Sequence, residues 1–234
     1  MRDDLALITG ASKGIGRSTA IMFADLGFTI LATARSRQAL QNLQAEIRES
    51  GGKCEYLCTD LSAAAGIRQI TDLISSIKKP LSILVHSAGV AKVGRIESYS
   101  KDDWKETLNI NLTVPFLLTK ACIPLLGKSA HIFFINSVAG KQVFTEWGAY
   151  AVSKWGLRAL ADTLRLELAG SGIKVTSVFP SSVDTTLHDN LPYNWDRRQM
   201  LRDTDVAKAI VLCCQQSDKI QVREIDLENL AGTF

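Results

Sequence analysis

Short apolar runs of strand length alternate with stretches of helical periodicity along the whole chain, and no other feature narrows the possible folds as much. The strand-like runs are 5–9, 29–33, 54–58, 83–86, 131–136, 174–179 and 222–227. The helical stretches between them are 14–26, 38–50, 67–77, 103–126, 150–169 and 205–216. Strand, helix and strand in this rhythm make βαβ units, so the chain predicts an α/β fold with a parallel sheet and helices on both faces. The strands are short and apolar, as expected where both faces of a sheet are covered. Gly27, Gly51, Gly52, Gly170 and Gly172 stand where helices should end. No linker, repeat or low-complexity segment interrupts the alternation, so residues 1–234 read as a single domain. One stretch departs from the rhythm: 181–203 is polar and carries Pro192, Tyr193 and Trp195. A segment that long inside a compact domain is more often a functional lid than a connector.

Composition sets the remaining bounds. At 234 residues and 46% hydrophobic, the chain suits one domain with a large core. A net charge of +3 with both signs scattered offers no basic block for nucleic acid or a membrane surface. Arg197, Arg198 and Arg202 are mixed with acids and read as a solvated face. The first strand starts close to residue 1, and no apolar run approaches the ~20 residues of a membrane span. A cytoplasmic protein is expected. The odd count of five cysteines agrees, pointing to reduced thiols used in packing. His86, His131 and His188 have no metal-ligand spacing.

Two local patterns carry chemistry. The first is Thr9-Gly10-Ala11-Ser12-Lys13-Gly14-Ile15-Gly16, a glycine-rich turn between an apolar strand and a helix whose Ile15, Thr19, Phe23 and Leu26 share one side. Glycines there let the backbone bend tightly and approach a pyrophosphate. The helix N-terminus adds free N–H groups and partial positive charge. The second is Tyr150 and Lys154, four apart in Tyr-Ala-Val-Ser-Lys, with Ser137 thirteen positions upstream. Positions i and i+4 share a helix face. A free phenol has a pKa near ~10, and a cation beside it lowers that value. With a hydroxyl donor at Ser137, the three groups form a device for moving a proton on and off oxygen. Taken singly, the glycine turn is equally a plain connection and the Tyr–Lys pair equally an exposed helix pair.

Together, and in order, the landmarks Thr9–Gly16, Asp60, His86-Ser87-Ala88-Gly89, Asn111, Ser137, Tyr150, Lys154 and the run from Pro180 to Thr185 resemble the short-chain dehydrogenase/reductases over nearly the whole chain. The resemblance implies a Rossmann fold, a doubly wound sheet of seven parallel strands in the order 3-2-1-4-5-6-7. It implies hydride transfer between a nicotinamide and a carbonyl or alcohol carbon. By position, Tyr150 is the general acid in reduction. Lys154 lowers its pKa and binds the nicotinamide ribose. Ser137 orients the substrate oxygen, and Asn111 holds a proton-relay water. Gly10, Ser12, Lys13, Gly14, Ile15 and Gly16 cradle the cofactor's pyrophosphate side. Asp60 contacts the adenine with Leu61 along the same edge. Ser87, Ala88 and Gly89 line the ribose, and Pro180, Val183 and Thr185 the carboxamide. Two departures stand out: His86-Ser87 where the family has two asparagines, and Ser181 where it has glycine after the proline.

The cofactor choice has a physical handle. An acid at the end of the second strand binds the 2′-hydroxyl of NAD, but here that position is Ala34, followed by Arg35. With Lys13, Arg35 favours a 2′-phosphate and hence NADP(H). The leading expectation is an NADPH-dependent carbonyl reductase acting on a small, apolar substrate. The alternatives are a 3-oxoacyl-[acyl-carrier-protein] reductase, with the three arginines facing an acidic carrier, and a nucleotide sensor without turnover. Apolar residues on the stretches 103–126 and 150–169, among them Trp104, Leu108, Leu112, Phe116, Leu117, Trp155, Leu157, Leu160, Leu164 and Leu168, predict a homodimer or homotetramer.

Overall fold

The computed structural model describes residues 4–230 and 232. In chain order the elements are β1 (Leu5–Thr9), α1 (Gly14–Asp25), β2 (Thr29–Ala34), α2 (Arg37–Glu49), β3 (Lys53–Cys58), α3 (Ala64–Ile77) and β4 (Leu81–His86). There follow α4 (Lys101–Leu108), α5 (Val114–Cys122), β5 (Leu126–Ile135), α6 (Gly148–Glu167), β6 (Lys174–Pro180), β7 (Val183–Asp184), β8 (Leu201–Arg202), α7 (Asp203–Cys214) and β9 (Glu224–Leu227). Seven strands form one parallel sheet in the order β3-β2-β1-β4-β5-β6-β9. This is the doubly wound order expected, with β9 as the seventh strand. The chain leaves β1 first toward β2 and later toward β4, so a crevice opens above the C-terminal ends of β1 and β4.

Alternation along the strands sorts the core into two layers. Ala6 and Ile8 face one layer with Phe23, Leu40, Ile47, Val206 and Ile210, from α1, α2 and α7. Leu5 and Leu7 face the other with Ile70, Leu118, Leu157 and Leu164, from α3, α5 and α6. Every residue of β1, β2 and β6 is buried, whereas β3 at the sheet edge is partly exposed.

The stretch expected as one helix over 103–126 is broken in its middle. Residues Asn109–Thr113 widen into a π turn, with the Val114 N–H donating to the Asn109 carbonyl. Pro115 explains the break: it has no N–H for the carbonyl four residues back, and its ring crowds that carbonyl. β5 also begins at Leu126, earlier than the apolar run suggested. Contrary to the expectation that no apolar run approaches the length of a membrane span, the composite helix Lys101–Leu125 is long and apolar enough on average to span a membrane by length and composition. It packs against α3 and α6 beside the sheet.

The apolar stripe expected to pair two copies is also narrower than the sequence suggested. Leu157 and Leu164 belong to the core, and the exposed apolar residues of these helices are Phe116, Leu117, Val152, Trp155 and Leu166.

Candidate active site

The glycine turn after β1 is fitted to β4. Gly10 has φ +66°, and a Cβ on it would lie 2.8 Å from the backbone of Ala88. A Cβ on Gly16 would lie 2.6 Å from the Gly10 carbonyl oxygen. Thr9 fastens the two segments: its Oγ1 accepts the N–H groups of Ser87 and Ala88, both at 3.1 Å, and donates to the Val85 carbonyl at 3.3 Å. α1 starts at Gly14 (φ +55°) with no acid in its first turn, so its positive end faces the crevice uncompensated. Thr9 was not among the expected site residues; its hydroxyl at the strand end was the available signal.

A cleft of about 1030 Å³ runs from this turn to α6. It is lined by Gly10, Ser12, Lys13, Gly14, Ile15, Arg35, Asp60, Leu61, Ser87, Ala88 and Gly89, and further by Ser137, Tyr150, Lys154, Pro180, Val183 and Thr185. Of the expected site residues, Gly16 and Asn111 lie behind the lining. At the β2 end, Arg35 is exposed, and neither it nor Lys13 makes a side-chain hydrogen bond or ion pair among the described residues. Asp60 Oδ1 accepts the N–H and the hydroxyl of Ser62, at 2.9 and 2.8 Å. Those bonds, the backbone one first, hold its carboxyl below the usual range.

At the other end, Tyr150 and Lys154 sit one turn apart on α6, both buried, with the Lys154 Nζ 5.4 Å from the phenol ring centre. Lys154 Nζ donates to the Ile135 carbonyl at 2.9 Å. Ser137 follows β5 and caps a short 3₁₀ turn, Val138–Gly140, its hydroxyl accepting the Ala139 N–H at 3.1 Å. Buried Asn136, which the sequence reading passed over, joins the pieces. Its Nδ2 donates to the Lys154 carbonyl at 3.1 Å and its Oδ1 accepts the Ser137 N–H at 2.9 Å.

Lys154 was to lower the Tyr150 pKa, but burial pushes the phenol up to about 12, with only a hydrogen bond to Ser137 pulling it back. Burial moves Lys154 the other way, down to about 8. Desolvation is the leading cause, and the Lys154 ammonium is directed at the Ile135 carbonyl. Tyr150 therefore keeps its proton at neutral pH, the state a general acid requires.

Asn111, in the π turn, is 1% exposed, and its side chain is fully engaged. Oδ1 accepts the Val90 N–H at 2.9 Å, and Nδ2 donates to the Val90 carbonyl at 2.9 Å and to Ser153 Oγ at 3.0 Å. It anchors the loop that leaves β4.

The two departures have structural reasons. His86 is buried, bonded to Thr119 Oγ1 at 2.8 Å and stacked on Phe134, and burial holds its pKa at about 3. It is a neutral core residue. Ser181 does not adopt the left-handed conformation that favours glycine. Its Oγ accepts the Asn229 N–H at 3.1 Å and its N–H donates to the Leu227 carbonyl at 2.8 Å, tying the segment to β9.

The segment 181–203 is more ordered in secondary structure than a plain loop. β7 and β8 pair within it, and 3₁₀ turns occupy Thr186–Asn190 and Arg197–Gln199. The three arginines are neutralised: Arg197 by Asp184 and Asp189, Arg198 by Asp196, Arg202 by Asp205. Trp147, Tyr193 and Trp195 converge beside Tyr150, while Val143 points to solvent, 74% exposed.

Comparison with known proteins agrees with this geometry. Residues 4–194 match the short chain dehydrogenase family. The chain belongs to that family. Sepiapterin reductase of Chlorobaculum tepidum is 32% identical over 97% of each chain. An uncharacterized oxidoreductase of Staphylococcus aureus is 27% identical over 96% of each. Among solved structures, a metagenomic short-chain oxidoreductase in complex with NADP superposes with a TM-score of 0.85, at 29% identity over 96% of each chain. An alcohol dehydrogenase of the archaeon Thermococcus sibiricus, complexed with 5-hydroxy-NADP, shares the fold at a TM-score of 0.90 and 24% identity over 97% of each chain. The chain is thus a short-chain oxidoreductase in fold and family.

Proposed function

We propose that the protein is an NADPH-dependent carbonyl reductase. The observation that carries this is one continuous cleft with two cations that make no ion pair among the described residues, Lys13 and Arg35, at one end and the Ser137–Tyr150–Lys154 group at the other. The residues fit the cofactor. Gly10 and Gly16 leave no room for a Cβ, the α1 N-terminus faces the phosphate path, and Ala34 puts no carboxylate where a 2′-phosphate would lie. When bound, NADPH supplies a hydride to the carbonyl carbon. Ser137 donates a hydrogen bond to the substrate oxygen, Tyr150 gives its proton to that oxygen and becomes a phenolate, and Lys154 would hold the ribose and, as a nearby cation, stabilise that phenolate. Pro180, Val183 and Thr185 would hold the carboxamide end, and Asp60 and Leu61 would hold the adenine. Asn111 acts from behind the lining by holding the loop at Val90.

The carrier-protein reading gains nothing from the three arginines that could face an acidic carrier, because each is already paired with an acid. A sensor without turnover needs no proton donor. A second reading, reduction of a side-chain ketone on a pterin ring, is favoured by the aromatic residues beside Tyr150 and by the Chlorobaculum relative. NADPH consumption over aliphatic, alicyclic and aryl ketones, sepiapterin, quinones and 3-oxoacyl thioesters separates these readings. NADPH binding with no turnover on any of them would leave the sensor.

Lys154 holds its charge only below about pH 8. We therefore predict that kcat/KM for reduction falls as pH rises through that value, while Tyr150, at about 12, stays protonated. A profile flat across the neutral-to-alkaline range would remove the charge from the mechanism. Stability runs the opposite way. Between about pH 8 and lysine's ordinary 10.5 the unfolded chain binds a proton that the folded chain does not, so this group makes stability rise with pH.

We also propose that Phe116, Leu117, Val152 and Trp155 meet a second copy of the chain. A dimer or tetramer is expected by sedimentation at micromolar concentration, with Phe116→Asp plus Trp155→Asp giving monomer. A monomeric wild type would end this proposal.

A further inference from the structure

We propose that Tyr193, held in place by Glu146, is a positioning residue that makes the cleft selective for a planar carbonyl compound whose ring is conjugated with the carbonyl. This deepens the carbonyl-reductase reading and rests on it. The starting point is a strained backbone. Among the described residues the non-glycines with positive φ are Lys78 and Glu146. Lys78 closes α3, where the left-handed conformation is an ordinary helix ending. Glu146, at φ +70°, ends no helix; it stands just before α6, four residues ahead of Tyr150. A residue with a Cβ takes this conformation at a cost, and something around it must over-determine it.

Two bonds do so. The Glu146 carbonyl accepts the Gly94 N–H at 2.8 Å, and its Oε2 accepts the Tyr193 hydroxyl at 2.8 Å. The strained residue thereby joins three segments that border the cleft: the loop after β4, the approach to α6 and the segment 181–203. A more relaxed backbone at Glu146 would redirect one of the two bonds.

The joint fixes an aromatic wall. The Tyr193 ring lies parallel to Trp147, 11° between planes and 6.3 Å between centres, and edge-on to Trp195 at 5.5 Å. Trp147 in turn meets the Tyr150 ring edge-on at 5.3 Å. Trp147 and Trp195 line the cleft, together with Phe144 and Pro192, whereas Tyr193 stands behind them. Tyr193 thus acts through the two indoles. Flat π faces attract flat rings through offset or edge contacts that a puckered ring cannot copy. Because Trp147 touches the proposed proton donor, a ring held against it is attached directly to the reacting carbonyl.

The experiment compares acetophenone with cyclohexyl methyl ketone, two substrates of similar size, in wild type, Tyr193→Phe, Glu146→Gln and Glu146→Gly. Wild type should favour the aryl ketone through KM. Tyr193→Phe keeps the ring and loses the hydroxyl that Glu146 and Trp147 hold, so its aryl KM should rise roughly ten-fold. Its kcat, its KM for NADPH and its KM for the cyclohexyl ketone should hold. Glu146→Gln keeps an acceptor and should stay near wild type, while Glu146→Gly should behave as Tyr193→Phe does. Equal KM changes for both ketones in Tyr193→Phe, or no aryl preference in wild type, would overturn the proposal. If neither ketone is reduced, quenching of tryptophan fluorescence by the two ketones in the presence of NADPH decides. Tighter aryl binding that weakens in Tyr193→Phe upholds the wall while the reductase reading fails, and equal binding sinks both.

Discussion

Tyr150→Phe is expected to lower turnover by roughly 10²–10⁴-fold, the range typical of a general acid or base, while NADPH affinity stays within a few-fold. Phenylalanine keeps the ring, so the edge contact with Trp147 at 5.3 Å survives. It removes only the hydroxyl, whose proton burial holds in place up to about pH 12. The fold should not suffer, because the lost hydroxyl is buried and its bond is to Ser137, a neighbour that can turn to solvent in the cleft. Steady-state rates, a fluorescence titration with NADPH and a melting curve together test the assignment. Activity within a few-fold of wild type would mean that another group supplies the proton. A collapse in melting temperature would assign the loss to folding.

Arg35→Ala is expected to weaken NADPH binding by roughly ten- to a hundred-fold, since a charge-assisted hydrogen bond contributes about 1.5–3 kcal/mol and each decade of affinity is about 1.4 kcal/mol. NADH lacks the 2′-phosphate and should be nearly indifferent. The Arg35 side chain lines the cleft and makes no ion pair among the described residues, and its electrostatic neighbour there is Asp60. Ala34→Asp combined with Arg35→Ala should go further and favour NADH, because a carboxylate at Ala34, which also lines the cleft, can accept from a 2′-hydroxyl and repels a phosphate. Paired titrations of both cofactors decide the matter. Equal losses for NADPH and NADH would make Arg35 a support of the loop, and a wild-type preference for NADH would overturn the cofactor proposal.

Much of this site was legible because its information is local. The i,i+4 spacing of Tyr150 and Lys154 needs only a helix to become a shared face, and the composition of residues 150–167 supplies that helix. Gly10 and Gly14 announce positive φ wherever a strand turns sharply into a helix, and both have it. The regular alternation of apolar strands and periodic helices allows few arrangements other than a parallel sheet covered on both sides. Even the π turn at Asn111 was written in the sequence, at Pro115, though only its consequence in the folded helix drew attention to it.

What the chain alone did not decide depends on which distant groups meet. The direction of the Tyr150 shift follows from how deeply α6 is packed and where the Lys154 ammonium points, and neither is a property of a five-residue motif. Arg197, Arg198 and Arg202 read as a solvated face mixed with acids, and only the folded segment decided which acid each of them meets. Ser181 read only as a departure from glycine, and its partner Asn229 lies 48 residues on. Glu146 gives no sign in the sequence of its φ of +70°, because the bonds that impose it come from Gly94 and Tyr193, 52 residues before and 47 after. Periodicity and turn chemistry act over a few residues and therefore survive in the one-dimensional record. Desolvation, charge pairing and backbone strain are set by neighbours that only the closed sheet and its covering segments bring together.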